Sequence, residues 1–411
     1  MLYYELKKIW VKPGTKIAMV ILAVLLFVTC WSAVRGVYWL DDNHERVYGI
    51  EGIQTLKAAK KEWAGTLTEE VIADVIRENT RINETPEARS EDIDQQNIAY
   101  GWKQGFADIR YLIMRSFCEF QEADYYKPDR LKPEDAQYFY ENRTKHLKDW
   151  LGEEYPQSKL SEDEREFLIE RYEALETPLE YDYADGWKQL FEFSSMITMI
   201  MMLVLGFVSA SVFAGEFSYK ADAIFYSSYH GRRGAVAAKL GAAILFITMV
   251  YTLMMFLFTV IVLAMFGTDG AGLVIQTNYD YGWKSFYTLT NIQEYWMIVI
   301  GGYIGTMFVL LLTMLVSAMT RSTALAAIVP FIVIFLPSFI GDSHKYGIIE
   351  KIIAVLPDRL LAINQSISLF YLYHIGGKVV GAMSVVFPLY AVLAIALCPP
   401  LYHIYRHKES K

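Results

Sequence analysis

The chain has 411 residues, 54% of them hydrophobic and 20% charged, with a formal net charge of −8. It is more apolar than an ordinary soluble protein, and its apolar residues are clustered into long runs, which excludes a simple soluble domain. The acidic balance gives no reason to expect a nucleic-acid partner. Three cysteines (Cys30, Cys118 and Cys398) are too dispersed for a disulfide framework.

In chain order, residues 1–16 form a cytoplasmic amphipathic arm, "MLYYELKKIWVKPGTK". Leu2, Tyr3, Leu6, Ile9 and Trp10 stand near helical spacing, opposite Lys7, Lys8 and Lys12, and the arm is expected to end at Pro13-Gly14. Ile17–Val34 is free of charge and opens transmembrane helix 1, placed at 17–40. Its length and the lack of a small-residue cleavage site favour a retained anchor over a signal peptide. Further charge-free runs cover 193–214, 240–266, 295–319, 322–341 and 379–403. Each reaches the roughly 18–20 residues that cross about 30 Å of hydrocarbon. The fold class expected is an all-α integral membrane protein. It has six transmembrane helices, the last five within 189–411, and a mainly helical extracellular domain at 41–188.

That insert holds 35 acidic and 20 basic residues, and at 148 residues it is long enough to fold as its own domain. Thr66-Leu-Thr-Glu69 and Ser161-Glu-Asp-Glu164 read as capping boxes. The first precedes Val71, Ile72, Val75 and Ile76 on one helical face, the second Phe167, Leu168, Tyr172 and Leu175. The acidity is read first as a means of solubility and second as an attraction for cationic ligands.

Orientation follows from Lys and Arg near the spans. The arm, the stretch 215–239, the turn at 320–321 and the tail from 404 carry 12 basic residues in 51; the loops 267–294 and 342–378 carry 5 in 65. Both termini are therefore expected in the cytoplasm of a multi-pass cell-membrane protein, and 215–239 is a cytoplasmic loop. The stretch 342–378 is too polar and broken to span, and reads as an outer re-entrant segment.

No P-loop, H-E-x-x-H, G-x-S-x-G or C-x-x-C pattern occurs, so no enzyme activity, cofactor or metal is expected. The central portions of the spans carry no Asp, Glu, Lys, Arg or His, which argues against a carrier driven by its own ion gradient. Energy for uphill movement would have to enter from a partner.

Gly301 with Gly305, and Gly377 with Gly381, have G-x-x-x-G spacing and are read as helix-packing sites. Met196, Met199 and Thr198 mark a candidate translocation path, with core packing an equal explanation for the methionines. Gly101-Trp102-Lys103, Gly186-Trp187-Lys188 and Gly282-Trp283-Lys284 repeat one tripeptide, read as interfacial anchors.

Taken together, the arm, the large insert after the first span, the loop with Glu216 and "GRRGAVAAKL", the turn "SAMTRSTALAA" and the broken segment before the last span resemble the permease subunits of ABC-2 type transporters. The insert makes the chain most similar to the sodium-efflux and drug-resistance branch. The resemblance implies an ABC exporter whose membrane subunit pairs with a second permease, as a homo- or heterodimer, and with a cytoplasmic ABC ATPase subunit. It also implies that the loop is a coupling helix. Glu216, Lys220, Asp222, Arg232, Arg233 and Lys239 would then face the ATPase, with Phe225, Tyr226 and Tyr229 as packing anchors. The alternative for the basic residues is the positive-inside bias alone. Two other functions stay open: a membrane-anchored sensor or interaction protein working through its extracellular domain, and a force-transmitting FtsX- or MacB-like permease.

Overall fold

A computed structural model describes residues 1–41, 45–218, 234–340 and 351–407. The arm is a helix, α1 (Leu2–Val11), and Lys12 breaks it with an extended ψ before Pro13 opens α2 (Pro13–Arg35). Proline suits that first helical position because its missing N–H has no acceptor there in any case. A small polar domain follows, built from α3 (Gly49–Lys61), α4 (Glu69–Asn83), α5 (Ile93–Gly101), α6 (Ala107–Phe117), α7 (Phe139–Leu151), α8 (Glu154–Lys159) and α9 (Glu162–Glu173). Beyond it come α10 (Asp185–Ser218), α11 (Val236–Phe266) and α12 (Asn291–Thr320), then the short α13 (Thr323–Ala327) and α14 (Val329–Ile340). The chain closes with α15 (Ile363–Ser366) and α16 (Met383–His407). Strands are confined to three antiparallel pairs among the described residues: β1 (Tyr38–Leu40) with β2 (Arg46–Tyr48), β3 (Gly65–Thr66) with β4 (Glu180–Tyr181), and β5 (Leu372–Ile375) with β6 (Lys378–Gly381).

Five helices, α2, α10, α11, α12 and α16, are long and apolar enough to cross a membrane. The segment expected as a fifth of six spans is instead two helices. Its longer piece, α14, has 12 residues with Pro337 inside it, and at 1.5 Å per residue it covers about 18 Å. Pro330 explains the break, since a proline near a helix start cannot donate back into the helix before it.

The long helices pack around α12, which runs along α10 on one side and α16 on the other. Its glycines make the approach possible. A Cβ on Gly301 would lie 2.4 Å from Ile363 Cδ1, and one on Gly302 would lie 2.5 Å from the Tyr251 hydroxyl and 3.1 Å from Thr198 Cγ2. Gly305 similarly admits Leu360, 3.3 Å from a built Cβ. Gly301 and Gly305 thus act as packing positions, while the expected second pair does not lie on a helix. Gly376 and Gly377, both with positive φ, form the two-residue turn between β5 and β6, and Gly381 ends β6 against Tyr287.

The polar domain has its own cores, but residues from far along the chain complete them. Ile72, Val75, Ile76, Ile109, Leu112 and Phe139 enclose Trp283. Phe120, Leu147, Leu168 and Tyr172 enclose Phe286 and Leu372. The folded unit therefore includes parts of the 267–294 and 351–382 stretches. Arg143 shows how tightly they are joined: it is 5% exposed and donates to the carbonyls of Trp283, Ser285 and Tyr172. Ser161 caps α9 in a reciprocal box with Glu164. At α4, the cap is Thr68, which accepts from the Val71 amide, while Thr66 is taken into β3.

Gly302→Leu should lower the thermal midpoint of the purified protein, at an overpacking cost of about 1–3 kcal/mol. Gly14→Ala, where a Cβ meets nothing within 4 Å, should be neutral or raise stability by up to about 1 kcal/mol. Thermal melts in detergent compare the two.

Candidate functional site

α10 has 34 residues, a rise of about 51 Å, well beyond the roughly 30 Å of a hydrocarbon core. Each of its ends is fixed by a different set of polar contacts, and those two ends are the candidate site.

At the end nearest the N-terminal arm, α1 lies along the start of α11. Trp10 meets Phe246 edge to face at 5.0 Å. The Lys12 ammonium donates to the Ser211 carbonyl at 3.1 Å and to its Oγ at 3.3 Å, tying the arm to α10. Lys239 is 3% exposed; its Nζ donates to the Val212 carbonyl at 3.2 Å and lies 3.9 Å from Glu5 Oε2. It also stands 5.8 Å from the Phe213 and Tyr405 ring centroids. Lys239 therefore joins α1, α10 and α11 from within, where a partner-facing position was expected. Carbonyls near a helix C-terminus carry the negative end of its dipole, which favours an ammonium there. Ser317 of α12 adds a further tie, donating to the Ala210 carbonyl and accepting from the Ala214 amide. A cavity of about 590 Å³ lies between the arm and α10, lined by Lys7, Lys8, Lys12, Val212 and Gly215 among others.

Most of the expected coupling loop (Lys220, Asp222, Phe225, Tyr226, Tyr229, Arg232 and Arg233) lies outside the described residues, as does the Glu216 side chain. Its two flanks are described, and both meet the arm. A Cβ on Gly215 would stand 3.6 Å from Lys12 Nζ, and one on Gly234 would stand 3.5 Å from the Met1 sulfur.

Along the middle of α10, Thr198 is 1% exposed and packed against Gly302. Met199 joins a small apolar cluster with Met202, Val309, Ile334 and Leu361. Met196 is partly buried. These contacts are those of helix packing.

At the other end, four charged side chains from α3, α6 and the first turn of α10 meet in the interior. Lys60 Nζ lies 3.0 Å from Asp108 Oδ2 and 2.8 Å from Asp185 Oδ1. Lys188 Nζ lies 2.9 Å from Asp108 Oδ1 and 3.8 Å from Asp185 Oδ1. The Tyr181 hydroxyl donates to Asp108 at 3.2 Å. Two ammonium groups and two carboxylates thus alternate in a closed, neutral quartet. Asp185 also gains from the positive end of the α10 dipole. Burial by itself would push the Asp108 carboxyl up, but the ammonium groups of Lys188 and Lys60 outweigh it and hold it well below the ordinary range. For Lys60, burial favours the neutral amine, and Asp108 and Asp185 reverse this, leaving the ammonium raised.

Outside the quartet, Lys57 and Lys61 both pair with Asp269, which joins α3 to the stretch after α11. Burial raises the Asp269 carboxyl, and the hydrogen bonds from Lys57 and Lys61 bring it down to about 2. Glu294, in the first turn of α12, is fully buried and accepts from the Tyr281 hydroxyl at 2.7 Å.

Of these junction residues only Lys188 was singled out from the sequence, as an interfacial anchor, and the structure places it in the quartet instead. The repeated tripeptides gave a partial signal, although Trp187 and Trp283 prove to be core residues at 4% and 3% exposure, and Trp102 alone is exposed. Trp187 is held where its Nε1 donates to the Thr268 carbonyl at 3.4 Å. Among the described residues, no group of three or more His, Cys, Asp or Glu side chains is arranged to hold a metal ion.

Comparison with protein-family models, with curated proteins and with solved structures brings no match.

Asp108→Asn should destabilise the fold by about 3–5 kcal/mol, because it leaves an uncompensated buried cation. The depressed Asp108 contributes fully above the ordinary carboxyl value of 3.8, and less as pH falls below it. The raised Lys60 contributes fully below 10.5, and less as pH rises through its folded value. The difference in thermal midpoint between the wild type and Asp108→Asn should thus be flat through neutral pH and shrink on acidification below about 4.

Proposed function

We propose that the chain is the transmembrane permease subunit of an ATP-binding cassette exporter of the ABC-2 type. It would sit in the cell membrane with both termini in the cytoplasm and the polar domain outside. The short apolar pair α13–α14 would serve as the remaining membrane segment of a six-span arrangement. A second permease, identical or different, would complete the pathway, and a separate cytoplasmic ATPase would supply the energy.

The observation that carries this reading is the grip of α1 on both flanks of the 219–233 segment. Lys12 of the arm holds the end of α10, while Glu5 and Trp10 meet Lys239 and Phe246 at the start of α11. A partner pulling on the segment would therefore move α1, α10 and α11 together. Tight packing favours such movement as rigid bodies, with the helices switching between two discrete arrangements. Because α10 continues without a break to the quartet, the same motion would reach the polar domain.

That continuity also favours a second reading, in which the chain transmits force to partners outside without conducting a substrate itself. Cysteine-accessibility mapping separates the two. Labelling of 322–340 from both sides of the membrane supports a six-span permease, and a four-span pattern supports the force transmitter.

Arg232→Glu/Arg233→Glu should abolish stimulation of a co-purified ATPase or weaken its assembly by about tenfold or more, as loss of an interface hot spot does. Unchanged assembly and turnover would remove these residues from the coupling role. A pull-down that recovers no ATPase would favour a sensor.

A further inference from the structure

The polar domain and the 368–372 segment enclose a cavity of about 770 Å³, within the range of small-molecule sites. One side is aromatic. Phe120 stacks on Trp150 at 4.9 Å between centroids and on Phe370 at 5.7 Å. Another side is cationic: Arg115, Lys159, Lys284 and Lys351 line it, against Asp280 as the one carboxylate among the described lining residues. This is unexpected in a region where residues 41–188 carry 15 more acidic than basic side chains.

The other cations of this wall are already engaged. Lys351 pairs with Glu164 at 2.6 Å, and Arg115 donates from Nε to the Tyr279 carbonyl at 3.0 Å. Lys284 differs. It is partly buried, its Nζ stands 5.1 Å from the Phe120 centroid, and no carboxylate lies within 4.0 Å of it among the described residues. Burial, followed by the nearby Arg115 charge, brings its ammonium down to about 8. An ammonium held over an aromatic face without a counter-ion wants an anion, and the adjoining aromatic side offers room for an apolar body.

We propose that this cavity binds an anionic amphiphile, a carboxylate or phosphate carried on an apolar or aromatic body, with Lys284 as its charge partner and the Phe120–Trp150–Phe370 face as its apolar seat. Tyr279 lines the same cavity and lies under Lys188 at 4.9 Å, so the bound molecule would share a wall with the quartet. This site does not depend on the chain being a permease.

The full chain in phosphatidylcholine nanodiscs provides the test, with intrinsic tryptophan fluorescence as the readout and Trp150→Phe as the reference that isolates the cavity signal. One arm titrates dodecanoate as a soluble amphiphile; the other dopes the discs with phosphatidylglycerol as an anionic lipid. The expected result is a saturable change in at least one arm, which names the source. It should be absent in Trp150→Phe and weakened about tenfold or more in Lys284→Gln, as the loss of a charge-assisted contact implies. Lys159→Gln keeps the test open if Lys284→Gln fails to fold, and Lys378→Gln, away from the cavity, should bind as the wild type does. The proposal is overturned if neither arm gives a saturable change. It is also overturned if dodecanol binds as well as dodecanoate, if a folded Lys284→Gln binds unchanged, or, where Lys284→Gln does not fold, if Lys159→Gln binds unchanged.

Discussion

The closed quartet of Lys60, Asp108, Asp185 and Lys188 is the constraint on which the rest of the structure depends. Bringing each ion out of water costs several kcal/mol, and attraction within the quartet offsets that cost only while all four partners stay in register. Its members come from α3, α6 and the head of α10. Losing the register of any one of these elements would expose or orphan a charge in the other two. The polar domain is thereby fixed to the longest helix among the described residues through charges as well as apolar contacts.

The neighbouring contacts share that logic. Arg143 satisfies its guanidinium on three backbone carbonyls, and so locks the Trp283–Ser285 stretch into the domain. Asp269 draws Lys57 and Lys61 toward the chain just after α11. Glu294 joins α12 to Tyr281. The heads of α10 and α12 and the tail of α11 are thus all tied to one polar body. At the opposite end, Lys12 and Lys239 bind the arm to α10 and α11. In the proposed reading, the helices between these two sets of ties form a stiff connection from a cytoplasmic partner to the outer domain. The aromatic–basic cavity would lie against its far end.

How much of this the sequence disclosed varies with the range of the interaction. Properties set within a few residues were legible: the amphipathic arm, the apolar helices and the Ser161 box all depend on local spacing. The split of the 322–341 run was legible in part, since Pro330 and Pro337 stand in plain view, but run length alone suggested a crossing helix. Gly377 and Gly381 had the spacing of a helix-packing pair and lie on a hairpin, because two adjacent glycines with positive φ, Gly376 and Gly377, make a tight turn easy. The quartet was not legible. Lys60, Asp108 and Asp185 are separated by 48 and 125 residues across their contacts, and each alone looks like an ordinary solvated charge in an acidic insert. The unpaired character of Lys284 was hidden for the same reason: the lack of a nearby carboxylate is a property of the fold.

The most direct test of the central claim, that motion at the arm end of α10 reaches the polar domain, is hydrogen–deuterium exchange on the full 411-residue chain with the proposed ATPase partner, with and without a non-hydrolysable ATP analogue. The account predicts altered protection at both ends: in α1 and the flanks of 219–233, and also in α6 and the 268–290 stretch around the quartet. Changes confined to the arm end, with exchange in the polar domain unaltered, would contradict it.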